Sequence, residues 1–284
     1  ALLLFSLVGC SDATTNVSDK NEALITIGTD KITKGDVYNG LVAQGDISPV
    51  VKALTTAVAA NAIETTDEIK AAAQANVDTL KASATDWEAY LKNSGYESEE
   101  ASLEDLINQV KETKIASSYV SEKYTTLATR LEPRKLQVVS ITNKDVVNEA
   151  QQKANDGVDF TELAKTYGDG KQNGVVSIYT NASGLGADVW KTVLATEEGK
   201  VASQTSYNPE TATYYLIKVI DAKTNEFKDE AISVIAASTA TNEDGLSISE
   251  EAFNYYLNKV GYGIHDAIVY SALLSESAKY ERVK

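Results

Sequence analysis

The sequence predicts an α+β protein in which a mainly helical lobe, built from both ends of the chain, carries a small inserted α+β domain. Two observations predict this class. Apolar residues recur at three- and four-residue spacing before Pro133 and again after Asp229, which is the period of an amphipathic helix. Between these segments, runs such as TYYLIKVID (Thr213–Asp221) are rich in aromatic and β-branched residues, which is typical of strands. A chain of 284 residues is also long enough for about two domains.

The start of the sequence predicts a lipid-anchored, exported protein. Residues 1–9 (ALLLFSLVG) carry no charge and end at Cys10, and nine apolar residues cannot span a bilayer. They are interpreted as the remnant of a signal peptide. LVGC (Leu7–Cys10) resembles a bacterial lipobox, which implies acylation of Cys10. Residues 10–22 are polar and predict a flexible tether to the membrane.

The helical lobe is predicted over residues 23–132 and 229–284. A short strand, ALITIG, opens it, and a helix capped by Thr33 follows. Pro49 begins the next helix, and two capping boxes, Thr65 with Glu68 and Thr85 with Glu88, predict the starts of two more. A long helix over 103–131 is stopped by Pro133. Two further helices are predicted after Asp229, in SEEAFNYYLNKVGY and IHDAIVYSALLSESAKY.

The inserted domain is predicted over residues 133–228 with the order β, α, α, β, α, β. KLQVVSI opens it, a helix ends at Gly157, and DFTELAKTY forms a short helix with Asp159 as its N-cap and Gly168 ending it in the left-handed conformation. GVVSIY, ADVWKTVLA and TYYLIKVID supply the remaining strand, helix and strand. The turn GDGKQNG (Gly168–Gly174) lacks the arrangement of a phosphate-binding loop and is interpreted as an ordinary turn.

Composition excludes several classes of function. A net charge of −15 argues against a nucleic-acid partner, which needs clustered Lys and Arg. The single cysteine excludes an internal disulfide, and with one histidine, His265, a zinc site of Cys and His ligands is not expected. We predict neither a metal nor a cofactor. His265–Asp266 is interpreted as the start of a helix and not as part of a catalytic site.

In this order, the segments resemble a family of exported folding helpers. DFTELAKTY, EGKVA and YYLIKVID resemble elements of a parvulin-type peptidyl-prolyl isomerase domain. TIGTDKITKGDVYNGL, DEIKAAA and YLKNSGYESEE resemble the N-terminal chaperone domain of PrsA and SurA foldases. With the lipobox, the chain resembles a PrsA-like foldase lipoprotein over nearly its whole length. The resemblance implies a protein on the extracytoplasmic face of a bacterial membrane of the Gram-positive type, with unfolded secreted polypeptides as partners. It leaves open whether the protein forms a homodimer.

The same resemblance implies a polar catalytic cluster, and this sequence departs from it. Val138 and Tyr215 match the positions of the family's two histidines, and Val176 matches its acid. Candidate residues of the peptide groove, including those that match the proline pocket, are Tyr179, Leu185, Val189, Trp190 and Tyr215. Valine can neither donate nor accept a hydrogen bond, so no catalytic residue is assigned.

Three functions follow from these residues. An active isomerase would use the Tyr215 hydroxyl or an unaligned polar group. A non-catalytic, membrane-tethered chaperone needs only an apolar surface for unfolded chains, and this is the favoured interpretation. A specialised binder of one envelope partner would use the parvulin-like fold as a docking surface.

Overall fold

A computed structural model describes residues 18–27, 30–35, 38, 47–263 and 267–280. Cys10, His265 and most of the helix predicted after Thr33 lie outside these residues. The predictions for the lipidated terminus and for His265 therefore have no structural counterpart here.

Eleven helices and six strands have defined bounds in the described part of the chain. The helices are α1 Ser48–Ala62, α2 Asp67–Ser83, α3 Trp87–Asn93, α4 Glu99–Glu122, α5 Tyr124–Leu131, α6 Val147–Asn155, α7 Phe160–Tyr167, α8 Ala187–Ala195, α9 Lys228–Ala236, α10 Ile248–Val260 and α11 Ala267–Glu276. The strands are β1 Ala23–Ile27, β2 Asp30–Thr33, β3 Arg134–Ile141, β4 Asn173–Tyr179, β5 Ser206–Asn208 and β6 Thr213–Asp221. The predicted α+β class, mainly helical, is confirmed.

The chain divides into two compact units. One comprises the chain up to Ile115 together with Glu250 onward, and the other comprises Ala116–Ser249. Residues 133–228, predicted as the inserted domain, all fall within the second unit. We call the first the helical unit and the second the sheet unit.

In the helical unit, α2 and α4 share an apolar core in which Ala73, Val77 and Leu106 are buried. Beside it the buried Lys111 donates from Nζ to the Ala60 carbonyl oxygen at 3.1 Å. Both predicted caps here are wrong by one residue. Thr66, not Thr65, caps α2 by accepting from the Ile69 amide, and Asp86, not Thr85, caps α3 by accepting from the Ala89 amide.

Thr66 and Asp86 are the caps because each has the extended backbone that an N-cap requires, and because the side-chain oxygen of each accepts from a backbone amide in the first turn of its helix. A second unpredicted feature of this unit is β2, which pairs antiparallel with β1 to form a hairpin. Its sequence, DKIT, is too short and too polar to predict a strand.

The sheet unit is organised around a four-stranded antiparallel sheet in the order β4-β3-β6-β5. Because side chains alternate between the two faces of a strand, β3 supplies both faces with apolar residues. Leu136 and Val138 lie on the face covered by α8, and Val139 and Ile141 lie on the face covered by α6 and α7. All four side chains have no solvent exposure. The predicted order of elements is confirmed, with the three-residue β5 added.

Two local predictions in this unit are wrong. The helix predicted over 103–131 breaks at Lys123, where the backbone leaves helical angles, and α5 begins anew. Tyr124, at the start of α5, is buried and its hydroxyl donates to the Thr224 carbonyl oxygen at 2.5 Å, a contact distant in sequence. Gly168 ends α7 with extended backbone (φ −72°) and not in the left-handed conformation. Glycine is needed there because a Cβ would collide with the Ala164 carbonyl oxygen.

No helix in the described ranges is long and apolar enough to cross a membrane. Within those ranges there is also no grouping of three or more His, Cys, Asp or Glu side chains that could hold a metal ion.

Gly174 provides a test of the packing between α7 and β4. It has a positive φ of 75°, and a Cβ there would collide with the Phe160 backbone. Gly170 has a similar φ of 84° but open space around it. We expect Gly174→Ala to lower the free energy of unfolding by at least about 2 kcal/mol more than Gly170→Ala, because both pay the backbone cost and only the first adds steric overlap. Denaturant unfolding followed by circular dichroism measures this difference, and equal losses in the two variants would contradict it.

Candidate functional site

The α8 face of the sheet brings together nearly all the residues predicted to form a peptide groove. Leu185, Val189, Trp190 and Tyr215 are buried in one apolar cluster, and Tyr179 packs against its edge. Val138, Ile217 and Val193 fill the space between them. The structure brings these side chains together as a filled core: Val189 has no exposure, Trp190 is 5% exposed and Tyr215 is 7% exposed. Their role in binding a peptide stays a prediction.

Hydrogen bonds at the edge of this cluster hold Trp190 in place. Its indole Nε1 donates to Glu132 Oε2 at 3.0 Å. Glu132 follows α5 directly and has a left-handed backbone with φ of 49°, an uncommon conformation for a residue with a side chain. The backbone amide of Asn181 donates to the Leu131 carbonyl oxygen at 3.0 Å, so the loop before α8 is bonded to the end of the same helix, α5.

A second contact fixes the start of α8. Gly186 has φ of 94°, and a Cβ there would meet the Asn208 side-chain amide at 2.6 Å. Asn208 is buried and donates from Nδ2 to the Leu185 carbonyl oxygen at 2.9 Å. The short strand β5 therefore positions α8 against the sheet.

The three positions matched to the family's polar cluster do not converge. Val138 is paired with Ile217, and Ser140 is paired with Tyr215. Paired residues point to the same face and so do residues two apart on a strand, so Val138 and Tyr215 lie on the same face of the sheet. Val176 is paired with Gln137, so it lies on the opposite face, and it is 46% exposed. The register between β3 and β4 shifts by one residue between the pair Gln137–Val176 and the pair Val139–Asn173. This shift is a β-bulge at Gly174–Val175.

Next to Tyr215 the structure places a polar cluster that the sequence analysis missed. Ser140 is buried on β3. Its Oγ donates to Asp169 Oδ1 and accepts from the backbone amide of Gln172 at 3.0 Å. The Asp169 amide donates to the Ser140 carbonyl oxygen at 2.9 Å. The Tyr179 hydroxyl donates to Gln172 Oε1 at 2.7 Å, and burial raises the pKa of this phenol. We call Ser140, Asp169, Gln172 and Tyr179 the Ser140 cluster.

The Ser140 cluster offers limited chemistry. Asp169 Oδ2 is buried without a hydrogen-bond partner in the described chain, so one carboxylate oxygen is left to accept a bond. The hydroxyls of Ser140 and Tyr179 are already directed at other side chains. None of the four members of the Ser140 cluster is a histidine, so these residues supply no imidazole.

One signal in the sequence could have indicated this cluster. Ser140 shares a face with Leu136 and Val138, so it is a polar residue at a position where the strand pattern requires an apolar one. A buried hydroxyl needs a partner, and Asp169 in the following turn is a residue that can supply it. The turn GDGKQNG is therefore not an ordinary turn, because it carries two members of the cluster.

Comparison with solved structures places this chain beside PrsA proteins over most of its length. PrsA from Bacillus cereus, titled a peptidylprolyl isomerase, is 19% identical; the match covers 90% of this chain and 98% of that chain, with a TM-score of 0.49. The foldase protein PrsA from Streptococcus pneumoniae is 17% identical, with 92% and 100% covered and a TM-score of 0.46. PrsA from Bacillus subtilis is 16% identical, with 90% and 99% covered and a TM-score of 0.37.

The resemblance to PrsA stated from the sequence is confirmed, and the lipobox stays a prediction. No protein-family model matches the chain, and no curated protein sequence matches it significantly. At these identities the likeness does not extend to the role of any single residue.

The filled α8 face makes a prediction about Trp190. Trp190→Ala is expected to lower the free energy of unfolding by about 3–5 kcal/mol, because it leaves a large cavity and removes the donor to Glu132. Leu194→Ala, on the exposed side of the same helix, is the control and is expected to stay within about 0.5 kcal/mol. Denaturant unfolding followed by far-ultraviolet circular dichroism measures both. Two equally small losses would mean that the α8 face is an open groove in solution.

Proposed function

We propose that this chain is a membrane-tethered, extracytoplasmic chaperone that binds unfolded exported proteins and has lost isomerase chemistry. One observation carries the second half of this proposal: Val138, Val189 and Trp190 are buried where the family resemblance expects a catalytic cluster and an open proline pocket. The similar solved structures are titled foldases or peptidylprolyl isomerases, and the proposal keeps only folding assistance for this chain.

The chemistry of the amide bond supports the loss of isomerase activity. Rotation about an Xaa–Pro bond crosses a barrier of roughly 18–20 kcal/mol, and an enzyme lowers it by binding the twisted amide more tightly than the planar one. That requires donors and acceptors aimed into a groove that admits the proline. Val138 and Val176 supply neither. Tyr215 packs in an apolar cluster with Val138 and Ile217, and its polar cross-strand neighbour Ser140 already donates to Asp169.

An active isomerase is the second candidate, and the Ser140 cluster favours it. One carboxylate oxygen of Asp169 has no hydrogen-bond partner among the residues that the structure describes, and Ser140 is the cross-strand neighbour of Tyr215. In this candidate, the polar groups that contact the peptide would be Asp169 and Ser140. This candidate needs the α8 face to open, which the chaperone does not.

An isomerase assay separates the two candidates. In a protease-coupled assay on Xaa-Pro peptides, the purified protein is expected to give no turnover above the spontaneous rate. If turnover is seen, Asp169→Asn and Ser140→Ala decide its origin, because only an activity that belongs to the Ser140 cluster falls in both variants. Such a loss would establish the second candidate and end the proposal of a non-catalytic protein.

A holding assay tests the chaperone activity itself. At stoichiometric amounts the full chain is expected to slow the aggregation of a chemically denatured client, measured by light scattering on dilution. Serum albumin at equal mass controls for crowding by an inert protein. Unchanged aggregation with several unrelated clients would contradict the proposal.

The membrane tether depends on Cys10. When the chain is expressed in a Gram-positive host behind a complete lipoprotein signal peptide, we expect it in the membrane fraction, with the mass of an acylated Cys10. Cys10→Ala is expected to move it to the soluble extracytoplasmic fraction, because the thiol that receives the lipid is gone. Equal membrane association of both forms would mean that another segment anchors the protein.

A further inference from the structure

The helical unit contains a pocket of about 390 Å³ between α2, α3 and α4. We call it the Tyr90–Tyr96 pocket. Its lining combines aromatic, aliphatic and uncharged polar side chains: Asn76, Thr79, Leu80, Tyr90, Tyr96, Ser102, Leu106 and Gln109. This volume is near the lower end for ligand sites, so it suits one large side chain better than a cofactor.

Polar contacts behind the two tyrosines fix the aromatic walls. The Tyr96 hydroxyl donates to Asp105 Oδ2 at 2.6 Å, and the hydrogen bond to that carboxylate raises the pKa of Tyr96 to about 12. Tyr90 stacks on Trp87 with ring centroids 5.2 Å apart and planes 9° apart. Trp87 in turn donates from Nε1 to Glu99 Oε2 at 2.8 Å. Walls held in this way are preformed, which lowers the entropy lost on binding.

Ser102 gives the pocket a polar point. It is 1% exposed, and its Oγ has no hydrogen-bond partner in the described chain. The carbonyl oxygen of Ser98, one helical turn earlier, accepts from the Ser102 backbone amide at 3.2 Å. A buried hydroxyl without a partner costs about 1–3 kcal/mol, so a ligand that pairs with Ser102 recovers stability that an apolar ligand cannot.

The lining also indicates what the pocket excludes. No lysine or arginine is among its residues, so it offers no cation to a phosphate or carboxylate. The nearby carboxylate of Asp105 already accepts from Tyr96 and from Gln109 Nε2 at 2.8 Å. Asn76 and Thr79 are exposed, where amide and hydroxyl groups can pair with a peptide main chain. The matching ligand is an uncharged aromatic ring that carries a hydroxyl and is presented on a polypeptide.

We infer that the Tyr90–Tyr96 pocket binds a tyrosine side chain of an unfolded polypeptide, with its phenol hydroxyl hydrogen-bonded to Ser102 Oγ. This inference rests on the proposed function, since it names the feature of a client that the helical unit recognises. Aromatic rings pack favourably against the Tyr90 and Tyr96 walls, and Leu106 supplies an apolar floor. The hydroxyl distinguishes tyrosine from phenylalanine and leucine.

The test uses the full chain and two short Gly/Ser-rich peptides that differ only in a central Tyr or Phe. Isothermal titration calorimetry is expected to show about tenfold tighter binding of the Tyr peptide, which corresponds to one buried hydrogen bond. Ser102→Ala is expected to remove this preference and leave the binding of the Phe peptide unchanged. Thr113→Ala, on the exposed side of the same helix, is the control and is expected to behave as the unmodified protein.

Two further variants distinguish a loss of binding from a change in folding at Ser102. Leu106→Trp fills the pocket from its floor and is expected to weaken the binding of both peptides. Ser102→Cys keeps the shape of the side chain and is expected to reduce only the preference for the Tyr peptide over the Phe peptide. Equal binding of the two peptides by the unmodified protein would overturn the inference, and so would binding of neither. If the unmodified protein still slows client aggregation in either case, the proposed function stands without this pocket; if it does not, the proposed function fails independently.

Discussion

The burial of β3 on both faces is the constraint on which the sheet unit depends. β3 pairs with β4 on one side and β6 on the other, while α8 covers one face and α6 with α7 cover the other. A strand enclosed in this way tolerates polar groups only where each finds a partner. Ser140 meets that condition because its hydroxyl donates to Asp169. Val138 is apolar and needs no partner. The apolar residue at position 138 and the tight packing of the α8 face are therefore two aspects of the same burial.

The two units consequently differ in what they offer to another polypeptide. In the sheet unit, the large apolar side chains of the α8 face contact one another and are withdrawn from solvent. In the helical unit, the aromatic side chains around Tyr90 and Tyr96 border open space and are held by hydrogen bonds to residues behind them. The proposed function fits this division, because the binding proposed for the helical unit needs no reactive group.

Much of this fold could be predicted from the sequence, and the exceptions have physical causes. The bounds predicted for ADVWKTVLA and TYYLIKVID match α8 and β6, because their apolar patterns are strong and local. The caps moved to Thr66 and Asp86 because adjacent residues of similar capping ability are distinguished only by backbone angles. In the Ser140 cluster, Ser140 and Asp169 are 29 residues apart in the chain. A local sequence pattern does not indicate which turn will contact which strand. The Tyr90–Tyr96 pocket depends in the same way on how three helices meet.

The outer strands of the sheet have a consequence for the proposed function, in which the partners are unfolded chains. An unpaired strand edge offers free amide and carbonyl groups to any extended segment, so it can seed intermolecular β-structure. Here one outer strand, β5, is only three residues long, and the other, β4, is interrupted by the bulge at Gly174–Val175. Both edges are thereby poor templates for strand addition. A folding helper with this sheet can hold aggregation-prone polypeptides at high local concentration without itself becoming the nucleus of a fibril.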